Sequence, residues 1–192
     1  GGDRISDEER LTVAFTTRFI DQSSGQERFR ASIAQSIYYR DRLVTLSSNP
    51  TTDELAELTR NQSPLALELA ARLAKNWRFT SDLIYDNHDN DLEKSSLGVR
   101  YNDRDNRLFN FTYRFTRREP RLFNGMNVDQ DIEQVDISAF VPVAGNFNLV
   151  GRWNHDFTNK RELELFAGFE YNSCCWRASL IARHWLDRED EF

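Results

Sequence analysis

The sequence predicts an all-β fold: about ten antiparallel, up-and-down strands of the kind that cross a membrane as the wall of a barrel. Three observations predict it. Apolar and polar side chains alternate with period two through segments of about ten residues, the pattern of a strand with two unlike faces; a tilted membrane-crossing strand needs about 9–11 residues, whereas globular strands average about 5–6. Aromatic residues (Tyr39, Trp77, Tyr85, Tyr101, Trp153, Phe157, Tyr171, Trp176 and Trp185) collect toward segment ends, where girdles at a membrane–water interface belong. Links between segments alternate in length, as they do when turns lie on one side of a membrane and loops on the other.

Composition closes other folds and leaves this one open. The chain has 192 residues, 39% hydrophobic and 29% charged, with a mean hydropathy of −0.68. Such values resemble a soluble protein, but alternating residues cancel in any windowed hydropathy, so barrel strands escape that test. No apolar run approaches the roughly 20 residues of a membrane-spanning helix. A net charge of −6 without a basic run disfavours nucleic acid as a partner. No linker or repeat divides the chain, so 1–192 reads as one domain. The start, Gly1-Gly2-Asp3-Arg4-Ile5, has neither the charged nor the apolar region of a signal peptide. An exported form would have to derive from a longer precursor.

The segments follow in order. In Leu11–Ile20, Leu11, Val13, Phe15, Thr17 and Phe19 share one face. In Arg28–Arg40, Phe29, Ala31, Ile33, Ile37 and Tyr39 oppose Arg28, Arg30, Ser32, Ser36 and Arg40. Leu65–Leu73 alternates leucine and alanine with Glu68 and Arg72; because Leu65, Leu69 and Leu73 are four apart it also fits a helix, and its unbroken alternation favours a strand. Trp77, Phe79, Leu83 and Tyr85 oppose Arg78, Thr80, Asp82 and Asp86, and Leu97, Val99 and Tyr101 oppose Ser96, Arg100 and Asn102. Arg107–Thr116 carries Phe109, Phe111, Tyr113 and Phe115 on one side. Val135–Val143 opposes Asp136 and Ser138. Phe147–Phe157 opposes Arg152, Asn154 and Asp156; Leu163–Tyr171 opposes Glu162, Glu164 and Glu170; Trp176–Ala182 opposes Arg177, Ser179 and Arg183.

Short links are Asp21–Gln26, Lys75–Asn76, Asp103–Asn106, Ala144–Asn146 and Asn172–Ser173. On the other side, two links are long, 41–63 and 117–132, while His88–Leu92 and Thr158–Lys160 are of ordinary length. Within the first long link, Thr51–Thr59 has a threonine cap and helical leucine spacing, so a short helix is expected there.

The polar faces supply the candidate lumen lining: Arg30, Glu68, Arg72, Arg78, Asp82, Arg100, Asp136, Arg152, Asp156, Glu162, Glu164, Glu170, Arg177 and Arg183. A water-filled lumen tolerates such side chains, and opposite charges pair there. The same alternation suits a soluble barrel holding an apolar ligand, in which Leu67, Ile137 and Leu165 would meet in a dry centre, or a small self-contained membrane barrel acting as anchor, adhesin or enzyme. Gln35 and His155 fall on the apolar face, and Ile84, Val150 and Ile181 on the polar one.

Few residues carry chemistry. His88, His155 and His184 accompany no nucleophile motif, and no nucleotide motif occurs. Asp86-Asn87-His88-Asp89-Asn90-Asp91 has a calcium loop's composition but lacks its glycine and terminal glutamate. The two cysteines are adjacent, Cys174-Cys175, and neighbouring cysteines rarely bond to each other because the ring strains the peptide. In a reducing compartment they read as two inert thiols. In an oxidising one, each reads as pairing with a cysteine elsewhere in a longer chain.

Phe169-Glu170-Tyr171-Asn172-Ser173-Cys174-Cys175-Trp176, an aromatic-acidic turn followed by a cysteine pair and an aromatic, resembles the LptD family of lipopolysaccharide-assembly proteins. Gly2-Asp3-Arg4-Ile5, Thr17-Arg18-Phe19, Gln35 to Tyr39, Trp77-Arg78-Phe79 and Trp153-Asn154-His155-Asp156 resemble that family's barrel strands in similar order. The resemblance implies part of a larger barrel in the outer membrane of a Gram-negative bacterium, surrounded by outer-membrane lipids. It implies an N-terminal periplasmic jellyroll, a plug lipoprotein similar to LptE, and lipopolysaccharide received from the periplasmic Lpt bridge for release into the outer leaflet. It also implies disulfides from Cys174 and Cys175 to cysteines outside this chain, no cofactor and no enzymatic activity. The short-link side is then periplasmic. The jellyroll, the barrel's earlier half and its final strands are expected to lie outside this stretch.

Overall fold

The computed structural model describes residues 9–41, 55, 58–123 and 126–185. Ten strands form one antiparallel sheet in chain order: β1 (Arg10–Ile20), β2 (Glu27–Tyr38), β3 (Leu65–Ala74), β4 (Trp77–Asp86), β5 (Asp91–Asn102), β6 (Leu108–Phe123), β7 (Met126–Ala144), β8 (Phe147–Asp156), β9 (Arg161–Asn172) and β10 (Arg177–Trp185). All ten expected segments are strands. Among the described residues β1 pairs with β2 alone and β10 with β9 alone, so the sheet does not close on itself. The two edges thus carry unpaired backbone groups that a larger barrel would satisfy.

The helical spacing in Leu65–Leu73 loses to register: Leu65 lies opposite Tyr85, Leu67 opposite Leu83 and Ala71 opposite Phe79, so the whole apolar set meets apolar partners on one face. The long link expected over 117–132 is mostly strand instead. β6 and β7 continue through it, pairing from Glu119↔Gln130 to Phe123↔Met126 beyond a register shift at Thr116/Glu119. The sequence of this arm does not alternate, and Pro120 just past the shift looks like a break in it. Of the helix expected over Thr51–Thr59, Leu55 and Leu58 have helical backbone, while 51–54 and 56–57 lie outside the described residues, as do Gly2 to Ile5.

Tight turns sit on one edge. β3–β4 and β7–β8 connect through the two-residue links Lys75–Asn76 and Gly145–Asn146, where Gly145 takes the positive φ of +55° that a tight hairpin requires. On the opposite edge the 87–90 and 157–160 turns are built alike. Each follows an aspartate that accepts a turn N–H: Asp86 from His88 (2.7 Å) and Asp156 from Asn159 (3.2 Å). Each turn ends in a left-handed residue, Asn90 or Lys160, beside a register shift.

The register separates two faces. On one, a row perpendicular to the strands reads Phe29, Ala71, Phe79, Val99, Phe111, Ile137, Trp153 and Leu165, without a polar side chain. No hydrophobic side chain among the described residues is buried, and Phe15, Phe169 and Leu180 are 66%, 56% and 77% exposed. The dry centre expected of a soluble barrel is absent here, where Leu165 is 38% exposed. A ten-residue strand such as β4 rises about 30 Å at roughly 3.3 Å per residue, and a tilt of about 40° leaves an apolar band near 25 Å tall, the height a bilayer core demands of a barrel.

Candidate functional site

On the polar face one row runs Arg72, Arg78, Arg100, Asn110, Ser138, Arg152, Phe166 and Arg183. The next row toward the long-link edge runs Arg30, Ala70, Thr80, Gly98, Thr112, Asp136, Asn154 and Glu164. Strands lie about 4.8 Å apart, so charges in one row or in adjacent rows interact directly.

Around Arg152 this arrangement makes a clamp. Its Nε donates to Asp136 Oδ1 at 3.1 Å and its Nη1 to Glu164 Oε2 at 2.8 Å, the two carboxylates arriving diagonally from β7 and β9. Arg183 joins from β10, its Nε 3.9 Å from Glu164 and its guanidinium 5.2 Å over the Phe166 ring. Toward the sheet's other edge Arg30 donates to Glu68 at 2.7 Å, and Asp82 lies opposite Glu68. Arg72 donates to Gln26, whereas Arg78 and Arg100 have no hydrogen bond or ion pair among the described residues.

The remaining candidates mark strand ends. Asp156 is fully buried, accepting from the Asn159 side chain at 2.7 Å with Arg161 3.8 Å away. Glu170 accepts from the Asn172 amide at 2.8 Å, and Arg177 donates to Asn172 Oδ1 at 2.7 Å. Glu162 leaves the expected row: a shift between Asn154 and His155 places it opposite His155, on the register of the apolar face. Trp185 shows the reverse, its register partner being Glu164 of the polar face.

Two features had weak or no sequence signal. A row of Leu108, Phe140, Val150, Gly168 and Ile181 makes part of the polar face apolar between β6 and β10; Val150 and Ile181 pointed to it, while Phe140 was hidden in a run apolar on both parities. Arg60, in an aperiodic stretch, reaches Asp86 at 2.6 Å and Asp89 at 3.2 Å, fastening the long link to the 87–90 turn. Burial works against its charge, but these two carboxylates outweigh it and hold its ionisation above the ordinary value. The same contacts, with an Asp91–Arg117 pair, occupy the carboxylates of the calcium-like stretch.

Aromatic contacts gather toward both edges: the His155 ring centroid lies 5.4 Å from that of Trp153 and 4.8 Å from that of Phe157 beside the 157–160 turn, and three more contacts follow the tight-turn edge. Trp77 and Tyr101 have ring centroids 4.8 Å apart, as do Phe147 and Tyr171, and Tyr171 and Trp176. Cys174 and Cys175 lie beside them in the bend between β9 and β10, both exposed and free. Their sulfurs are 3.1 Å apart, well beyond the roughly 2.05 Å of a bond. The Cys175 thiol's hydrogen bond draws Cys174 below the usual thiol range, with help from the Ser173 hydroxyl, and raises Cys175 in turn. The pair is therefore presented outward from the same edge as Lys75–Asn76 and Gly145–Asn146, with one sulfur predisposed to ionise.

The family model described as "LptD: LPS transport system D" matches residues 1–147. The chain is 39% identical over 191 residues to the LPS-assembly protein LptD of Saccharophagus degradans, covering 97% of this chain and 21% of that protein. It is 36% identical to the LPS-assembly proteins LptD of Hahella chejuensis and of Pseudomonas aeruginosa, covering 100% of this chain and 22% and 23% of theirs. The chain thus spans about a fifth of the length of these relatives.

Proposed function

The chain belongs to the LptD family, and from that premise we propose that its ten strands are a stretch of the barrel wall of an outer-membrane translocon that inserts lipopolysaccharide into the outer leaflet. The observation that carries the reading is the pair of faces: an unbroken apolar row across eight strands stands back to back with rows of arginine, aspartate and glutamate. A bilayer on one side and a wet lumen on the other is the setting in which neither face is left in the wrong solvent. A self-contained small barrel fits less well, since β1 and β10 do not pair.

In this reading the polar face, including Arg30, Asp82, Arg152 and Glu164, lines the path of the sugar-phosphate headgroup, while acyl chains remain in apolar surroundings. The component is a transport wall and not an enzyme; the driving energy arrives from the periplasmic Lpt bridge, and an LptE-like lipoprotein plugs the lumen. The tight-turn edge with its aromatic girdle faces the periplasm. That orientation puts Cys174 and Cys175 where they can form disulfides with cysteines outside this chain, in the periplasmic jellyroll of the whole protein.

A charge placed on each face in the full-length protein tests the assignment. Ile137→Arg should cost about 2–4 kcal/mol of barrel stability and reduce lipopolysaccharide at the cell surface, whereas Thr112→Arg, on the polar face opposite Asp136, should cost far less. Equal tolerance of both would end the two-solvent reading. Separately, Cys174→Ser should change the mobility of the parent protein on non-reducing electrophoresis by removing one of two cross-links; an unchanged mobility would exclude Cys174 from the disulfides.

A further inference from the structure

We infer that the recess over Arg72, Arg78 and Arg100 is a subsite for the phosphate groups of a phosphorylated glycolipid. The inference rests on the translocon reading and deepens it, because it singles out where along the polar face the headgroup is held.

Three guanidinium groups stand on adjacent strands in direct register, Arg72 opposite Arg78 and Arg78 opposite Arg100. Like charges placed so are mutually destabilising, and in a chain of net charge −6 they are not forced by composition. The Arg152 clamp shows how the same sheet neutralises an arginine: carboxylates at the diagonal positions of the next row, Asp136 and Glu164. Beside Arg78 and Arg100 that row holds Ala70, Thr80, Gly98 and Thr112, and Arg78 and Arg100 have no carboxylate partner among the described residues.

Those small residues also make space. Recesses of about 310 Å³ and 290 Å³ open over this floor, one bordered by Arg72, Arg78 and Thr80 and the other by Arg78, Arg100 and Gly98; Glu27 also borders the first, its carboxylate shared between Arg18 and Arg30. A third, of about 300 Å³, extends from Arg72, Arg78 and Arg100 to Lys75 at the tight turn, adding a fourth cation. With strands about 4.8 Å apart, the three guanidinium groups fall within about 10 Å of one another. A phosphate monoester brings a charge of about −1.5 to −2 and three acceptor oxygens to one point, and arginine's planar fork matches it in a bidentate manner. A protein side-chain carboxylate brings a single charge on its own tether and leaves cations over. The recess therefore fits a multivalent phosphate better than an acidic surface of a plug protein.

The test uses the full-length protein, purified folded, and compares binding of lipopolysaccharide with that of the same lipid after enzymatic removal of its phosphates. Wild type should prefer the phosphorylated form. Arg78→Gln and Arg100→Gln should each remove about tenfold of that preference, leaving binding of the dephosphorylated lipid unchanged. Thr80→Asp, which copies the clamp by setting a carboxylate diagonal to Arg72 and Arg100, should lower the preference while keeping or raising resistance to heat; it decides the matter should the glutamine variants fold poorly. Phosphate preference intact in Thr80→Asp overturns the subsite, as does an arginine variant that sheds a co-purifying acidic protein while its lipid binding stays as in wild type. Wild type that binds neither lipid defeats the translocon reading itself, and the subsite with it.

Discussion

Between β3 and β5 three arginines stand side by side with small neutral residues above them; between β7 and β10 Arg152 and Arg183 share Asp136 and Glu164 and lean on Phe166. Both groups occupy the same row of the same face. The difference lies one row away, where Ala70, Thr80, Gly98 and Thr112 give way to Asp136 and Glu164. The β7–β10 half also carries the apolar row through Phe140 and Val150, so it is largely satisfied within itself. The β3–β5 half is incomplete without something anionic. Two stretches with the same alternation therefore have different electrostatic states, and the contrast is open to attack at several points.

The largest effect is expected from glycine. A Cβ on Gly168 would strike the Leu180 carbonyl and lie 2.9 Å from Ile181 Cα, backbone atoms of β10 that cannot retreat without breaking the ladder. Gly168→Val should destabilise the barrel by about 3 kcal/mol through this overpacking. At Gly98 the added carbon meets a hydroxyl, Thr80 Oγ1 at 2.6 Å, which can rotate away; Gly98→Ala should cost less than about 1 kcal/mol. Denaturant unfolding of the full-length protein in detergent measures both. Similar costs at the two sites would mean that the arginine recess is as tightly packed as the clamped half.

A smaller effect separates the arginines. Arg152→Gln leaves two half-exposed carboxylates without their shared partner and should cost about 2 kcal/mol, held down by solvent around the site. Arg100→Gln removes one of three crowded positive charges and should change stability by less than about 0.5 kcal/mol, in the stabilising direction if at all. If the two variants lose equal stability in the same unfolding assay, Arg100 has a partner and the contrast collapses.

How far the sequence carried this picture depends on which interaction each residue obeys. Face and strand were legible wherever side chains alternate, as in Phe79, Val99 and Phe111 against Arg78, Arg100 and Asn110, because the period of a strand is fixed by its backbone. Alternation fails at a register shift, which is why Glu162 was placed on the wrong row and why β5 was read as starting near Ser96, past the shift beside Asp91 and Leu92. It fails again along the extension of β6 and β7 over 117–132, where the residues do not alternate although the backbone pairs. The site itself was half legible. Arg72, Arg78, Arg100, Arg152 and Arg183 were all legible as polar-face residues, but which of them are neutralised depends on neighbours from other strands, and Asp136 and Glu164 are remote in sequence from the gap at Thr80 and Gly98.

The smallest expected effect concerns the turns that close the two halves. At β1–β2 and β5–β6, away from the clamped half, an aspartate ties the turn: Asp21 accepts from the Ser23 N–H at 2.9 Å, and Asp103 from the Asp105 and Arg107 N–H groups at 3.0 and 2.9 Å. The Ser23 hydroxyl and Arg28 hold the Asp21 carboxyl well below the usual range, and the Arg107 N–H does the same for Asp103. A carboxyl whose folded pKa is depressed contributes stability that is complete above its unfolded value of about 3.9 and is lost as pH falls through the folded value. At β7–β8 no carboxylate is involved; Gly145 and Asn146 close the link, and the Asn172 N–H bonds to the Asn146 carbonyl at 2.9 Å. As pH falls from about 3.9 through the depressed folded values, amide protection at Ser23, Ser24, Asp105 and Arg107 should therefore be released while Asn172 stays protected, as read by hydrogen exchange on the folded barrel. Loss of protection at Asn172 in step with Ser23 would show that acid opens the sheet as a whole, and that the two kinds of turn do not differ in what holds them.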